Sequence, residues 1–244
     1  MSNLDSMFTS GGEYSKEITR DFFKNVYLYM FSALAISGII AYLAGTPEFI
    51  FEHFISYNAA NNTMSPNMLF WVVSLAPLGL GLIIQMAYRR LSLGVLLFLF
   101  LAYAVLMGLS LSVIMITYSI GTIAVTFFST AAAFGAMAVI GYTTKTDLTK
   151  FGSLLYMAFI GIFFASIINI WVGSEMMDFV IAIIGVFVFT GLTAYFMQKL
   201  KNTAQDPMLD GVERDKLALV GGLILYILFI NLFMSLLRLM GGND

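Results

Sequence analysis

Nine neutral polar side chains stand within long apolar stretches of this sequence: Gln85, Asn169, Thr190, Thr193, Tyr195, Gln198, Tyr226, Asn231 and Ser235. Amides and hydroxyls exchange hydrogen bonds but carry no charge near neutral pH. In an apolar setting they can line a polar path or tie helices together. Asn169 and Asn231 matter most, because an unpaired amide in hydrocarbon is expensive. An interhelical hydrogen bond, worth about 1 kcal/mol, is the first expectation for both. Tyr195, Gln198 and Tyr226 complete the set of candidates for a polar path or interhelical contacts.

Groups able to titrate, ligate a metal or attack a substrate are kept out of the same stretches. All 14 Asp and Glu lie in loops or at the ends of apolar runs. No run centre holds an acid, a Lys or a His. A retinal Schiff base lacks its Lys. An intramembrane serine protease lacks a base, because the only His is His53, in a loop. Metalloprotease and aspartyl protease sites cannot be assembled, and a proton-coupled carrier has no titratable group in its path. Cys is absent, so disulfides, thiolate metal sites and a thiol nucleophile are excluded. His53 lies near Glu48 and Glu52 and could bind a metal weakly, but reads first as a solvated loop residue. The expectation is a protein that is not an enzyme and has neither cofactor nor metal centre.

The elements that must position these groups are spans. The chain is 60% hydrophobic and 11% charged, more apolar than a soluble domain of 244 residues can hide. A bilayer-crossing helix needs about 20 apolar residues. Seven runs qualify: 26–44, 68–87, 93–118, 121–141, 152–172, 178–198 and 217–240. They are too long, and too uniformly apolar, for the strands of a membrane barrel. The fold class is therefore all-α, a polytopic seven-helix bundle. Residues 1–25 form an N-terminal segment, 26–240 the membrane domain and 241–244 a short tail.

Basic residues set the orientation. Of 12 Lys and Arg, 11 precede the first run or fall in the second, fourth and sixth loops, and only Arg238 departs from that pattern. Basic residues beside a span resist translocation. The N-terminus and those loops are expected in the cytoplasm, and the C-terminus outside. No cleavable leader is expected, so the first span would act as an uncleaved anchor. The net charge of -2, without a dense basic patch, gives no reason to expect nucleic acid.

Finer expectations attach to single residues. Residues 1–12 read as disordered. Residues 13–25 read as one or two helical turns with Lys16, Arg20 and Lys24 on one face, which orients the first span or grips anionic lipid. Residues 45–67 read as the longest outer loop. Pro77 should kink its helix. Ala104, Gly108 and Ser112 in the third span, and Ala131 and Gly135 in the fourth, form small-residue stripes where helices approach closely. Thr146 or Asp147 should cap the fifth span. Arg238 should snorkel to the outer interface. Glu175 and Asp178, or Arg89 and Arg90, are the charges placed to act at a gate.

The last two spans resemble the transmembrane Bax inhibitor motif family. The seventh reads Tyr226-Ile-Leu-Phe-Ile-Asn-Leu-Phe233 and then Leu236-Leu237-Arg238, against a family pattern of Tyr-x-Asp-Phe-Ile-Asn-Leu-Phe and Leu-Leu-Arg. The sixth ends Gly191-Leu-Thr-Ala-Tyr-Phe-Met-Gln198, where the family shows Tyr-Asp-Thr-Gln at Tyr195 to Gln198. Residues 134–152 and 24–45 are similar to bacterial members as well. The resemblance implies a seven-helix membrane fold and a pH-sensitive calcium leak serving ion homeostasis and stress survival. In the family the leak is gated by a close pair of Asp. Phe196 and Leu228 stand at those two positions here. Neither can hold a cation or a proton, so conduction or pH gating is expected to be lost or altered. The implied setting is a bacterial inner membrane, with the bilayer as partner and calcium as the ion in question. A non-conducting protein that modulates a membrane partner such as a protease is the alternative, and a carrier of a small neutral solute a third.

Overall fold

The structure is a computed structural model that describes residues 2–58 and 63–241. It is almost wholly helical. In chain order its elements are α1 (Ser2–Ala44), α2 (Pro47–Phe54), β1 (Ile55–Asn58), β2 (Thr63–Pro66), α3 (Met68–Ala87), α4 (Leu93–Leu111), α5 (Ile114–Thr117), α6 (Ile120–Thr143), α7 (Thr149–Val172), α8 (Glu175–Ala204) and α9 (Gly211–Met240). Seven segments are long and apolar enough to cross a membrane: Glu17–Ala44, Met68–Ala87, Leu93–Thr117, Ile120–Thr143, Thr149–Val172, Glu175–Ala204 and Gly211–Met240. They coincide with the seven apolar runs, because a helix alone satisfies every backbone group of such a run in hydrocarbon.

Three segments differ from the sequence expectation. Helix α1 is continuous from Ser2, so the helix extends through residues expected to be disordered and joins the first span without a break. The segment at 45–67, expected to be a loop, is structured. Thr46 caps α2 by accepting from the Phe49 amide at 3.3 Å, Pro47 sits at its first turn, and β1 pairs antiparallel with β2 from Ile55–Pro66 to Asn58–Thr63. Its Asn-rich tip at 59–62 lies outside the described residues. The third span is interrupted at Ser112, whose hydroxyl donates to the Leu109 carbonyl at 2.7 Å and closes α4 before α5 begins. Helix α3 runs on through a buried Pro77.

The chain groups into two compact units. The first holds Met1–Asp21, Gly121–Met208 and Ile224–Asp244, and the second Phe22–Ile120 and Leu209–Leu223. In the first unit, α6, α7 and α8 pack with the later turns of α9. Phe229 meets Phe127 and Phe134 edge-on, with centroids 5.4 and 5.5 Å apart, and Phe159 meets Phe189 at 5.9 Å. In the second unit, Tyr29 packs on Phe100 at 5.8 Å and the Ser110 hydroxyl donates to the Val73 carbonyl at 2.9 Å, tying α4 to α3. Ile50, Phe54 and Val73 form a small core beneath the hairpin segment.

Of the two small-residue stripes, one is a contact and one is not. Ala104, Gly108 and Ser112 are buried, and a Cβ at Gly108 would lie 2.8 Å from both the Ile40 Cβ and the Ser37 carbonyl oxygen. Ala131 and Gly135 are exposed, with nothing within 4 Å of a Cβ at Gly135. Helix α6 turns Thr126, Thr130, Phe134, Ala138 and Gly141 inward instead. Gly108→Leu should therefore cost about 1–3 kcal/mol by overpacking. Gly135→Leu should leave the thermal midpoint in detergent unchanged.

Candidate functional site

The two positions that the resemblance singles out, Phe196 on α8 and Leu228 on α9, are each 5% exposed. Phe196 is packed by aromatic rings. Its centroid lies 5.8 Å from Tyr156 on α7 and 5.4 Å from Tyr195, and the Lys199 ammonium rests 5.8 Å from its ring centre. Tyr195 stands edge-on to Tyr156 at 6.3 Å. A Cβ at Gly152 would lie 2.6 Å from Cε2 of the Tyr195 ring, so glycine admits the ring against α7. This part of the first unit is an aromatic cluster.

Several of the polar groups inside the spans are satisfied within their own helix or turn. Asn231 Nδ2 donates to the Ile227 carbonyl at 2.8 Å, one turn back on its own helix. The Ser235 hydroxyl donates to the Asn231 carbonyl and the Thr193 hydroxyl to the Phe189 carbonyl, each at 2.8 Å. Thr130 does the same toward Thr126 at 2.7 Å. Asn169 closes the α7–α8 connection: its Oδ1 accepts from the Ser174 amide at 3.0 Å and its Nδ2 donates to the Ser174 carbonyl at 3.2 Å. The expected interhelical bonds of Asn169 and Asn231 are thus replaced by a turn and an intrahelical bond. Back-bonding to the fourth preceding carbonyl needs no partner helix. Tyr226 is fully buried. The Thr190 hydroxyl is buried and has no hydrogen-bond partner among the described residues. Gln85 is exposed, close to the end of α3.

Gln198 has a specific task. Its Oε1 accepts from the Leu148 amide at 2.9 Å, and its Nε2 donates to the Thr146 carbonyl at 2.8 Å. One side chain on α8 thereby fastens the loop that joins α6 to α7. Three residues on, Lys201 Nζ donates to the Tyr142 carbonyl at 2.9 Å and lies 5.0 Å from the centre of that ring. Lys201 was not among the sequence candidates. Its place one helical turn beyond Gln198 was the available signal. Within the loop, Asp147 Oδ1 accepts from the Thr149 hydroxyl at 2.6 Å and the Thr149 amide at 2.9 Å. Those two bonds, the hydroxyl's first, hold the Asp147 carboxyl below its ordinary pKa. The N-cap of the fifth span is Leu148, without a side-chain cap bond, where Thr146 or Asp147 was expected; Asp147 instead binds the first helical residue, Thr149, from one position before the cap.

The charges also find their places. Arg238 Nη1 lies 3.3 Å from Asp178 Oδ1, so it ion-pairs across α8 and α9 where snorkelling was expected. Arg89 and Arg90 are exposed in the turn between α3 and α4. Arg89 Nε donates to the Tyr88 hydroxyl at 3.0 Å, and that bond, ahead of the charge of Glu213, raises the guanidinium pKa. His53 stacks on Phe49 with centroids 4.4 Å apart and donates to the Phe49 carbonyl at 3.0 Å. Among the described residues, no group of three or more His, Asp and Glu is placed to hold a metal ion.

A model of the family described as inhibitor of apoptosis-promoting Bax1 matches residues 19–244. The chain is 42% identical to the inner membrane protein YbhL of Escherichia coli K12 over 219 residues, 85% of this chain and 94% of that one. It is 40% identical to an uncharacterized protein of Borreliella burgdorferi over 226 residues, 92% and 93% of the two chains. With an uncharacterized protein of Caulobacter vibrioides it shares 39% over 228 residues, 92% and 89%.

Proposed function

Because the chain belongs to the Bax1-I family, that of the inhibitors of apoptosis-promoting Bax1, we propose that this multi-pass membrane protein is a member of its calcium-leak class whose path is closed or no longer gated by pH. The observation that carries this reading is the burial of Phe196 and Leu228, apolar side chains at the positions of the paired Asp. Two neighbouring carboxylates raise one another's pKa and can hold a proton or a cation. Phe and Leu do neither. The local hydrogen bonding of Asn231, Ser235, Thr193 and Thr130 supports a sealed interior. The role is that of a membrane protein in ion homeostasis, without catalysis or cofactor. It would lie in an inner membrane like the Escherichia coli relative, its basic loops in the cytoplasm and its C-terminus outside.

The test is calcium flux through the purified full chain in liposomes at about pH 5 and about pH 8, which bracket the window of a coupled carboxylate pair. Flux should be low and equal at both. Strongly pH-dependent flux in the unaltered chain would overturn the reading and move the gate elsewhere, to Glu175 and Asp178 or to the Arg89–Arg90 turn.

A second reading is a non-conducting protein that modulates a membrane partner. The outward small residues of α6, Ala131 and Gly135, favour it, because small side chains let a foreign helix approach closely. Crosslinking in native membranes would show a discrete partner on that face.

A further inference from the structure

Two stripes of exposed apolar side chains end at one turn of the second unit. Leu78, Leu82 and Met86 run along α3, and Val95, Phe98 and Leu101 along α4. Spacings of three and four keep each set on one helix face. In a membrane protein these faces meet acyl chains. The turn that joins the two helices, at 88–92, carries Arg89 and Arg90, both exposed. The charge of Glu213 acts on Arg89, which also bonds the Tyr88 hydroxyl. The Arg90 guanidinium has no hydrogen bond or ion pair among the described residues.

Four other cations of the chain are engaged. Lys199 lies over Phe196, Lys201 on Tyr142, Arg214 donates to the Leu209 carbonyl at 3.2 Å, and Arg238 pairs with Asp178. Arg90 differs from these four in having no side-chain partner among the described residues. Close by, Gly94 opens the first turn of α4, with nothing within 4 Å of a Cβ built there. Two exposed guanidinium groups at the end of two exposed apolar stripes match one kind of ligand. It has a phosphate carrying net negative charge and hydrocarbon chains directly below.

We propose that the turn at 88–92 is a binding site for an anionic phospholipid. Arg90, with Arg89 beside it, takes the phosphate, and the acyl chains lie along the α3 and α4 stripes. The planar donor fork of Arg suits a phosphate better than a point charge does. A zwitterionic headgroup brings its own cation toward the arginines and is disfavoured. The site is independent of whether the protein conducts.

The test uses the full chain in detergent with phosphatidylglycerol or phosphatidylcholine, and native mass spectrometry reads the lipid retained. Wild type should retain phosphatidylglycerol in preference. Arg89→Gln/Arg90→Gln should lower that retention about tenfold, since each basic group at a membrane surface contributes several-fold. Arg89→Lys/Arg90→Lys should keep part of it. Lys145→Gln/Lys150→Gln makes the same change in net charge elsewhere and should match wild type. Equal loss in both Gln pairs would mean diffuse attraction and overturn the site. Displacement of the lipid by glycerol 3-phosphate alone would overturn it too, because the apolar stripes would then add nothing. Arg90→Gln breaks no side-chain hydrogen bond or ion pair among the described residues and carries the same expectation, at reduced size, if the double variant fails to fold.

Discussion

A chain carrying Phe196→Asp and Leu228→Asp should bind calcium far more strongly at about pH 8 than at about pH 5, and its liposome flux should become steeply pH-dependent where the unaltered chain is flat. Both side chains are 5% exposed, so both carboxyls would enter an apolar setting. Desolvation and mutual repulsion each raise a carboxyl pKa, which brings the pair's titration toward neutrality. A carboxyl whose pKa is raised on folding contributes most below its unfolded value of about 4, and that contribution disappears as pH rises through the raised pKa. The double variant should therefore lose stability with rising pH unless calcium is present. Removing the Phe196 ring from Tyr156 and Tyr195 adds a packing cost of about 3–5 kcal/mol, as for burial lost on Phe truncation. Phe196→Asn/Leu228→Asn shares that cost without the charge. It should be as flat with pH as wild type, and pH-dependent binding in the Asn pair would sink the carboxylate explanation.

The spans were legible in the sequence because length and hydropathy alone decide them. A run of about 20 apolar residues has no competing solution in a bilayer. Facing was not legible. Helix α6 has no polar side to mark its outside, since lipid is as apolar as the core. A stripe of small residues is compatible with either direction. Gly135 and Gly108 share the same motif, yet only Gly108 lies under a neighbouring helix. The segment at 45–67 reads as a loop in the sequence because its structure is built from short pieces. A Thr46 cap, a Pro47 start and a four-residue strand carry little periodicity.

The candidate side chains were legible as types and not as partners. Asn231 and Asn169 stood out by the cost of burying an amide. Each met that cost within five residues of chain, and no hydropathy pattern records such bonds. Gln198 was selected for a possible polar path, but its partners are backbone groups about fifty residues away, in a loop. Arg238 and Asp178 stand in the sequence near the ends of adjacent spans with opposite charge. Their pairing was the inference that those two facts allowed and that snorkelling displaced. Phe196 and Leu228 were visible only through resemblance, since an apolar residue in an apolar run carries no signal of its own.

Gly141→Leu should be the most damaging single apolar substitution of a glycine in the first unit, and even Gly141→Ala should lower the folded yield. A Cβ at Gly141 would lie 2.6 Å from the Ala194 Cα and 2.7 Å from its carbonyl carbon, and closer still to the carbonyl oxygen. The obstacle is backbone of α8, which cannot rotate away as a side chain does. By contrast, a Cβ at Gly152 meets the ring of Tyr195, and one at Gly191 meets a Leu155 methyl at 2.7 Å, so both neighbours can shift. The close approach at Gly141 also sets the register of the loop that follows. Lys201 reaches the Tyr142 carbonyl, and Gln198 reaches Thr146 and Leu148, only because α6 ends directly against α8. Forcing α6 away should cost about 3 kcal/mol or more for Leu, the upper end of overpacking, and should release those three bonds together. Thermal midpoints in detergent for Gly141→Ala, Gly152→Ala and Gly135→Ala would rank the three sites. A Gly141→Ala midpoint equal to that of Gly135→Ala would mean that α6 and α8 do not meet there. The chain has no Cys, so a single Cys at Lys145 can report the loop directly. Its labelling should quicken in Gly141→Ala and stay at the wild-type rate in Gly135→Ala.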